Sequence, residues 1–181
     1  DVNAAASTFN PEKLNWINQQ YIQSAPADRL TAMLAHHLSS HGLDPAAGPA
    51  LADVVEAYRD RAGTMREMAE DAAYLFADEI ALDEKAAKKH LRPVVAEPLA
   101  ALRDALAATD DWQPEALGGV VEGVAERLGL GMGKVGQPAR VAVTGSGASP
   151  GLGDTLALVG KSRTLARLER ALGYIEDRAK L

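Results

Sequence analysis

Apolar residues recur along this chain at three- and four-residue spacings, and nearly every break between such runs carries a helix-start or helix-stop signal. Asn10-Pro11-Glu12 places a capping side chain, a proline and an acid where a helix begins. The helix that follows carries Leu14, Ile17, Tyr21 and Trp16 as candidates for its apolar face, with Asn15, Asn18 and Gln19 opposite, and ends near Ser24-Ala25-Pro26. Asp28 to His41 predicts a second helix with Leu30, Met33, Leu34 and Leu38 inward, closed by Gly42. Ala50 to Arg61 and Met65 to Phe76 predict a third and a fourth. Residues 77–82 are a break, after which Asp83 caps a basic run of Lys85, Lys88, Lys89, His90 and Arg92. Pro93 to Ala108 and Glu115 to Leu128 follow as helices, with Trp112 as a packing anchor in the turn between them. From Ser162 the last helix turns Leu165, Leu168, Leu172 and Ile175 inward and places Arg163, Arg167 and Arg170 on one face. The whole predicts an all-α fold of two helical subdomains divided at the 77–82 break.

One stretch departs from this regularity. Gly133 to Asp154, GKVGQPARVAVTGSGASPGLGD, holds 6 of the 16 glycines and 2 of the 9 prolines. Pro138 predicts a helix break, Ala139 to Thr144 a short apolar segment carrying Arg140, and Gly145 to Gly147 a flexible turn. Ser149 as N-cap and Pro150 at the first helical position predict a helix start that Asp154 to Val159 complete. A guanidinium upstream of unpaired helix N–H groups fits an anion or a polar base edge. Two phosphate loops are excluded: a P-loop needs glycine where Thr155 stands, and the dinucleotide fingerprint needs glycine where Pro150 stands.

Composition sharpens this in three ways. The absence of cysteine excludes a disulfide framework and a thiolate metal site, and no apolar run reaches membrane-spanning length. The net charge of −6 argues against nucleic acid, but it is unevenly spread. Residues 1–126 carry 10 Lys and Arg against 21 Asp and Glu, whereas residues 127–181 carry 9 against 4, an asymmetry that points to a charged partner. His37 and His41 lie four apart, yet Leu38, Ser39 and Ser40 between them supply no acid and no third ligand is in view, so no metal is expected.

GKVGQPARVAVTG followed by SPGLGDTLALVGK resembles the anticodon-binding end of bacterial glutamyl-tRNA synthetases, whose usual form is GKxxQPLRxALTG and SPGLxxxLxLLGK. FNPEKLNWINQQYI (Phe9 to Ile22), the AYLF of Ala73 to Phe76, and Glu84-Lys85-Ala86 match further family segments in order, so the resemblance covers essentially the whole chain. It implies a connector and stem-contact helix over 1–22 and anticodon-binding helical subdomains over 23–80 and 81–181. It also implies that Arg140 of QPxR, with Ser149, Pro150 and Leu152 of the SPGL turn, reads the first two anticodon bases. Arg61 matches the arginine directed at the third base, with Arg59 the alternative if the register shifts. The chain departs from the family at Ala139, where leucine is common, and at Gly153, where a larger residue usually sits; looser local packing is expected at both.

The resemblance implies an enzyme that joins glutamate to tRNA(Glu) with ATP and magnesium through an aminoacyl-adenylate, in the cytoplasm and as a monomer. Neither a HIGH-like motif nor a KMSKS-like loop occurs here, so no catalytic residue and no cofactor is expected in this chain. Its start at Asp1 predicts a fragment whose catalytic domain lies elsewhere in the same protein. The alternative is a helical protein-interaction domain without RNA binding, supported by the acidic first two-thirds. A small hydrolase lacks a nucleophile, base and orienter set.

Overall fold

The computed structural model describes residues 10–180. The expected connector Asp1 to Thr8, and Phe9 of the first family segment, lie outside the described residues. Among the described residues there are ten α-helices, two 3-10 turns and no strand, an all-α fold. In chain order the helices are α1 Pro11–Ser24, α2 Ala27–Ser40, α3 Leu51–Tyr58, α4 Met65–Ala72, α5 Glu84–His90, α6 Ala96–Ala107, α7 Pro114–Arg127, α8 Met132–Thr144, α9 Leu152–Val159 and α10 Lys161–Ala179.

Local chemistry accounts for most of the boundaries. Asn10 Oδ1 accepts the N–H groups of Glu12 and Lys13 at the head of α1, Thr64 caps α4 through Glu67 N–H, and Asp83 caps α5 through Ala86 N–H. Two apolar clusters then hold the helices. One gathers Leu30, Leu34 and Leu38 of α2 with Val54, Val55, Tyr58, Met68 and Leu75. The other gathers Leu91, Leu99, Leu102, Leu106, Leu117 and Val121 with inward residues of α8 and α10. Helix α9 serves both, since Leu152 and Leu156 enter the second cluster and Val159 the first.

The structure corrects three expectations. α8 runs unbroken through Gln137-Pro138, so Ala139 to Thr144 is helix. A proline inside a helix costs about 3 kcal/mol, but Val135, Ala139, Ala142 and Val143 recur at helical spacing and are all buried, which offsets that loss. α9 begins at Leu152 with Gly151 as its cap residue and no side-chain cap, so Ser149 is not an N-cap and Pro150 is not helical. On α1, Leu14, Trp16, Ile17 and Tyr21 are all exposed, and only Ile22 is buried; its apolar face meets the first core just at its end.

The arginine face of α10 has a structural task. Arg163 donates to the carbonyls of Leu75 and Ala47 at 2.9 Å each and to Asp78 at 3.0 Å. Arg167, buried, donates to Val143 O at 2.8 Å, Tyr74 O at 2.9 Å and Ala77 O at 2.8 Å. Arg170 reaches Ile80 O at 2.7 Å. These guanidiniums satisfy carbonyls that the end of α4 and the 77–82 break leave open, and so bind the first core to α8 and α10.

Candidate functional site

The Ser149-Pro150 turn lies between α8 and α9, and Arg140 holds it from within. Arg140 Nη1 donates to Ser149 O at 3.2 Å, to Pro150 O at 2.6 Å and to the Ser149 hydroxyl. Its Nη2 and Nε have no hydrogen-bond partner among the described residues and are not buried. One edge of the guanidinium thus braces the turn while the other faces outward. Arg140 is half-buried, and burial lowers its pKa first, followed by the positive charge of Arg61. Two cations near each other, each with donors free, favour a ligand that offers acceptors.

Ser149 faces inward. Its hydroxyl lies 3.0 Å from that of Thr155 and 3.1 Å from Pro150 O. Across the junction, the Tyr74 hydroxyl is 3.0 Å from that of Tyr58, which also reaches Asp71 O at 3.3 Å. Two hydroxyl pairs thus stand at the junction: Ser149–Thr155 beside the Arg140-held turn, and Tyr58–Tyr74 in the first core. Burial raises the pKa of both tyrosines. Leu152 is buried in the second core, so its side chain packs and its backbone N–H stands at the α9 start.

Arg61 is exposed three residues after Tyr58 and makes no ion pair or side-chain hydrogen bond among the described residues. It lines a cleft of about 650 Å³ together with Pro150 and Gly151, and the far wall comes from Trp112, Gln113 and Pro114. Asp53, Glu56 and Asp154 also line it, so the cleft mixes donors with acceptors. Trp112 is fixed there by its indole N–H on Leu156 O at 3.0 Å. Arg59 has another place: its Nη2 donates to the carbonyls of Ile22, Gln23 and Ala25 at 3.2, 3.1 and 2.9 Å, closing the end of α1.

Arg61, Arg140, Ser149 and Pro150 are thus brought to one side of the molecule, and Leu152 is buried beside them. The cleft wall at Asp53, Glu56 and Gln113 was not foreseen, because those residues come from separate elements and share no sequence pattern. His37 and His41 are joined through the backbone, with His41 Nδ1 2.7 Å from His37 O.

A family model described as an anticodon binding domain matches residues 29–172. A glutamate tRNA ligase from Elizabethkingia meningosepticum, solved with its amino acid, superposes with a TM-score of 0.81 at 27% identity over 92% of this chain. The glutamate-tRNA synthetase of Elizabethkingia anophelis does so with a TM-score of 0.74 at 26% identity over 91% of it. The chain spans only about a third of either, 33% and 32% of their lengths.

Proposed function

This chain belongs to the anticodon-binding-domain family, and from that premise we propose that it reads the anticodon loop of tRNA(Glu) as one part of a glutamate–tRNA ligase. The observation that carries the proposal is the convergence of Arg61, from the first core, and the Arg140-braced turn, from the second, on one side of the fold. Anticodon bases are unpaired and expose their edges. A cleft with both acids and a free guanidinium suits such edges better than phosphates, which Asp53, Glu56 and Asp154 would repel. Arg61 addresses the third base, while the outward edge of Arg140 and the backbone around Ser149, Pro150 and Leu152 address the first two.

The remainder of the ligase, on this reading, supplies ATP, magnesium and the adenylate chemistry in the cytoplasm, and the present chain contributes recognition alone. Among the described residues no helix is long and apolar enough to cross a membrane.

Binding of a glutamate-type anticodon stem-loop RNA tests the proposal. Arg61→Ala removes an exposed side chain with no internal partner and is expected to weaken binding by about 1–3 kcal/mol, with relaxed preference at the third base. Arg140→Ala also releases the Ser149-Pro150 turn, so Arg140→Lys is the better companion: a single ammonium cannot both brace the turn and reach outward. Unchanged affinity in Arg61→Ala and Arg140→Lys would overturn the site assignment. The exposed apolar residues of α1 favour a second reading, a protein-docking module. An interface of that kind shows little salt dependence, whereas RNA binding weakens steeply as salt rises.

A further inference from the structure

Most cations of this chain have internal partners. Arg59, Arg163, Arg167, Arg170 and Arg178 bind backbone carbonyls. Lys88, Arg66, Arg103 and Lys180 pair with acids. The positive charge of the last third is therefore largely taken up by internal partners among the described residues. Lys89, Arg92 and Lys134 are the exceptions that cluster: all three are exposed and have no ion pair or side-chain hydrogen bond among the described residues.

These three line a cavity of about 260 Å³ between the end of α5 and the start of α8, together with His90, and no acid lines it. Its floor is apolar, formed by Val95, Pro98, Leu130 and Pro138. Val94 stands at the rim, 70% exposed. Burial first, then the charges of Lys89 and Arg92, lower the pKa of His90. α8 adds positive potential, since its first turn has no side-chain cap and no acid. The cavity is thus cationic at the rim and apolar beneath, which matches one nucleotide of a strand: an anionic phosphate attached to a body of low polarity.

We infer that the Lys89–Arg92–Lys134 cavity is a second RNA contact, which holds a backbone phosphate of the same RNA whose bases face the Arg61 cleft. The inference rests on the function proposed above. Lys134 and Arg140 share α8, but six residues turn a helix by about 600°, so the two side chains leave it on different faces and the cavity takes a phosphate from a separate part of the RNA. The two cavities divide their tasks by charge. The acid-lined cleft reads bases and excludes phosphate, and the acid-free cavity grips phosphate and reads nothing.

The test measures the affinity of the 181-residue chain for the glutamate-type stem-loop across a range of salt concentrations. Lys89→Gln with Lys134→Gln is expected to reduce the slope of log K against log salt by about 1.4–1.8 for two lost phosphate contacts. The ratio of affinities between the glutamate loop and anticodon-altered loops should stay at its wild-type value. Arg29→Gln with Arg66→Gln, a charge-matched control on α2 and α4 of the first core, should leave the slope in place. Wild-type slope in the cavity variant, with Arg61→Ala still weakening binding, would overturn this inference and leave the proposed function standing. An equal loss of slope in the control would overturn it too, since the effect would then be diffuse charge. A wild-type chain that does not bind the stem-loop at low salt overturns the proposed function, and the phosphate site with it.

Discussion

Tyr58 and Tyr74 meet hydroxyl to hydroxyl at 3.0 Å inside the first core, and both are buried. Tyr74→Phe removes one hydroxyl and leaves Tyr58 its bond to Asp71 O. The expected cost is about 0.5–1.5 kcal/mol in a urea melt. Burial raises both pKa values, so the folded chain keeps protons that an unfolded tyrosine releases near 10. Stability contributed by the two groups is present below pH 10 and declines as the pH climbs beyond it. Arg140 and Arg167, whose pKa values burial lowers, act with the opposite slope on the alkaline side. Tyrosinate absorbance for these two residues should appear together with loss of helical dichroism, and ionisation of both within an intact fold would contradict their burial. The sequence marked Tyr74 as a motif member, but nothing in it says that it touches Tyr58.

Two glycines show how closely the elements approach. Gly145 ends α8 at φ +79°, and a Cβ there would lie 2.2 Å from Ala81 O. That approach brings Asp83 N–H to Gly145 O at 2.8 Å and anchors the 77–82 break to the end of α8. Gly145→Ala meets both a left-handed backbone and a clash, and should cost about 2 kcal/mol or more by thermal or urea denaturation. Gly153 reverses an expectation. Its departure from the family pattern predicts loose packing, yet a Cβ at that position would lie 2.2 Å from Pro114 O. α9 presses its first turn against the head of α7, and the missing side chain permits a contact closer than a larger residue allows. Gly153→Ala should lower the melting temperature and disturb Gln113 and Pro114 in the cleft wall, whereas unchanged stability and binding would mean that the two helices separate freely. The Ser149 turn has a similar history: capping chemistry pointed to a helix start at Ser149-Pro150, but Arg140 pulls the turn inward and delays the helix to Leu152.

Across the whole molecule the decisive feature is the clasp from α10. Arg167 alone satisfies three carbonyls, one from α8 and two from the segment after α4, in a setting with little water. Arg167→Ala leaves those acceptors without a donor and is expected to cost about 3 kcal/mol or more. With the clasp gone the two cores should melt in two steps, and a single transition of undiminished midpoint would show that apolar contact through α9 suffices. What the sequence determined by itself was the all-α class, most helix positions and the identity of the motif that carries Arg140, because apolar periodicity, caps and turn residues act over a few neighbours. Only the tertiary structure decided which arginines are free. Sequence counts charges, but a guanidinium goes to whichever unpaired carbonyl the packing leaves within reach. Thus a basic last third became internal bracing, and Arg61, Lys89, Arg92 and Lys134 were left open to a partner.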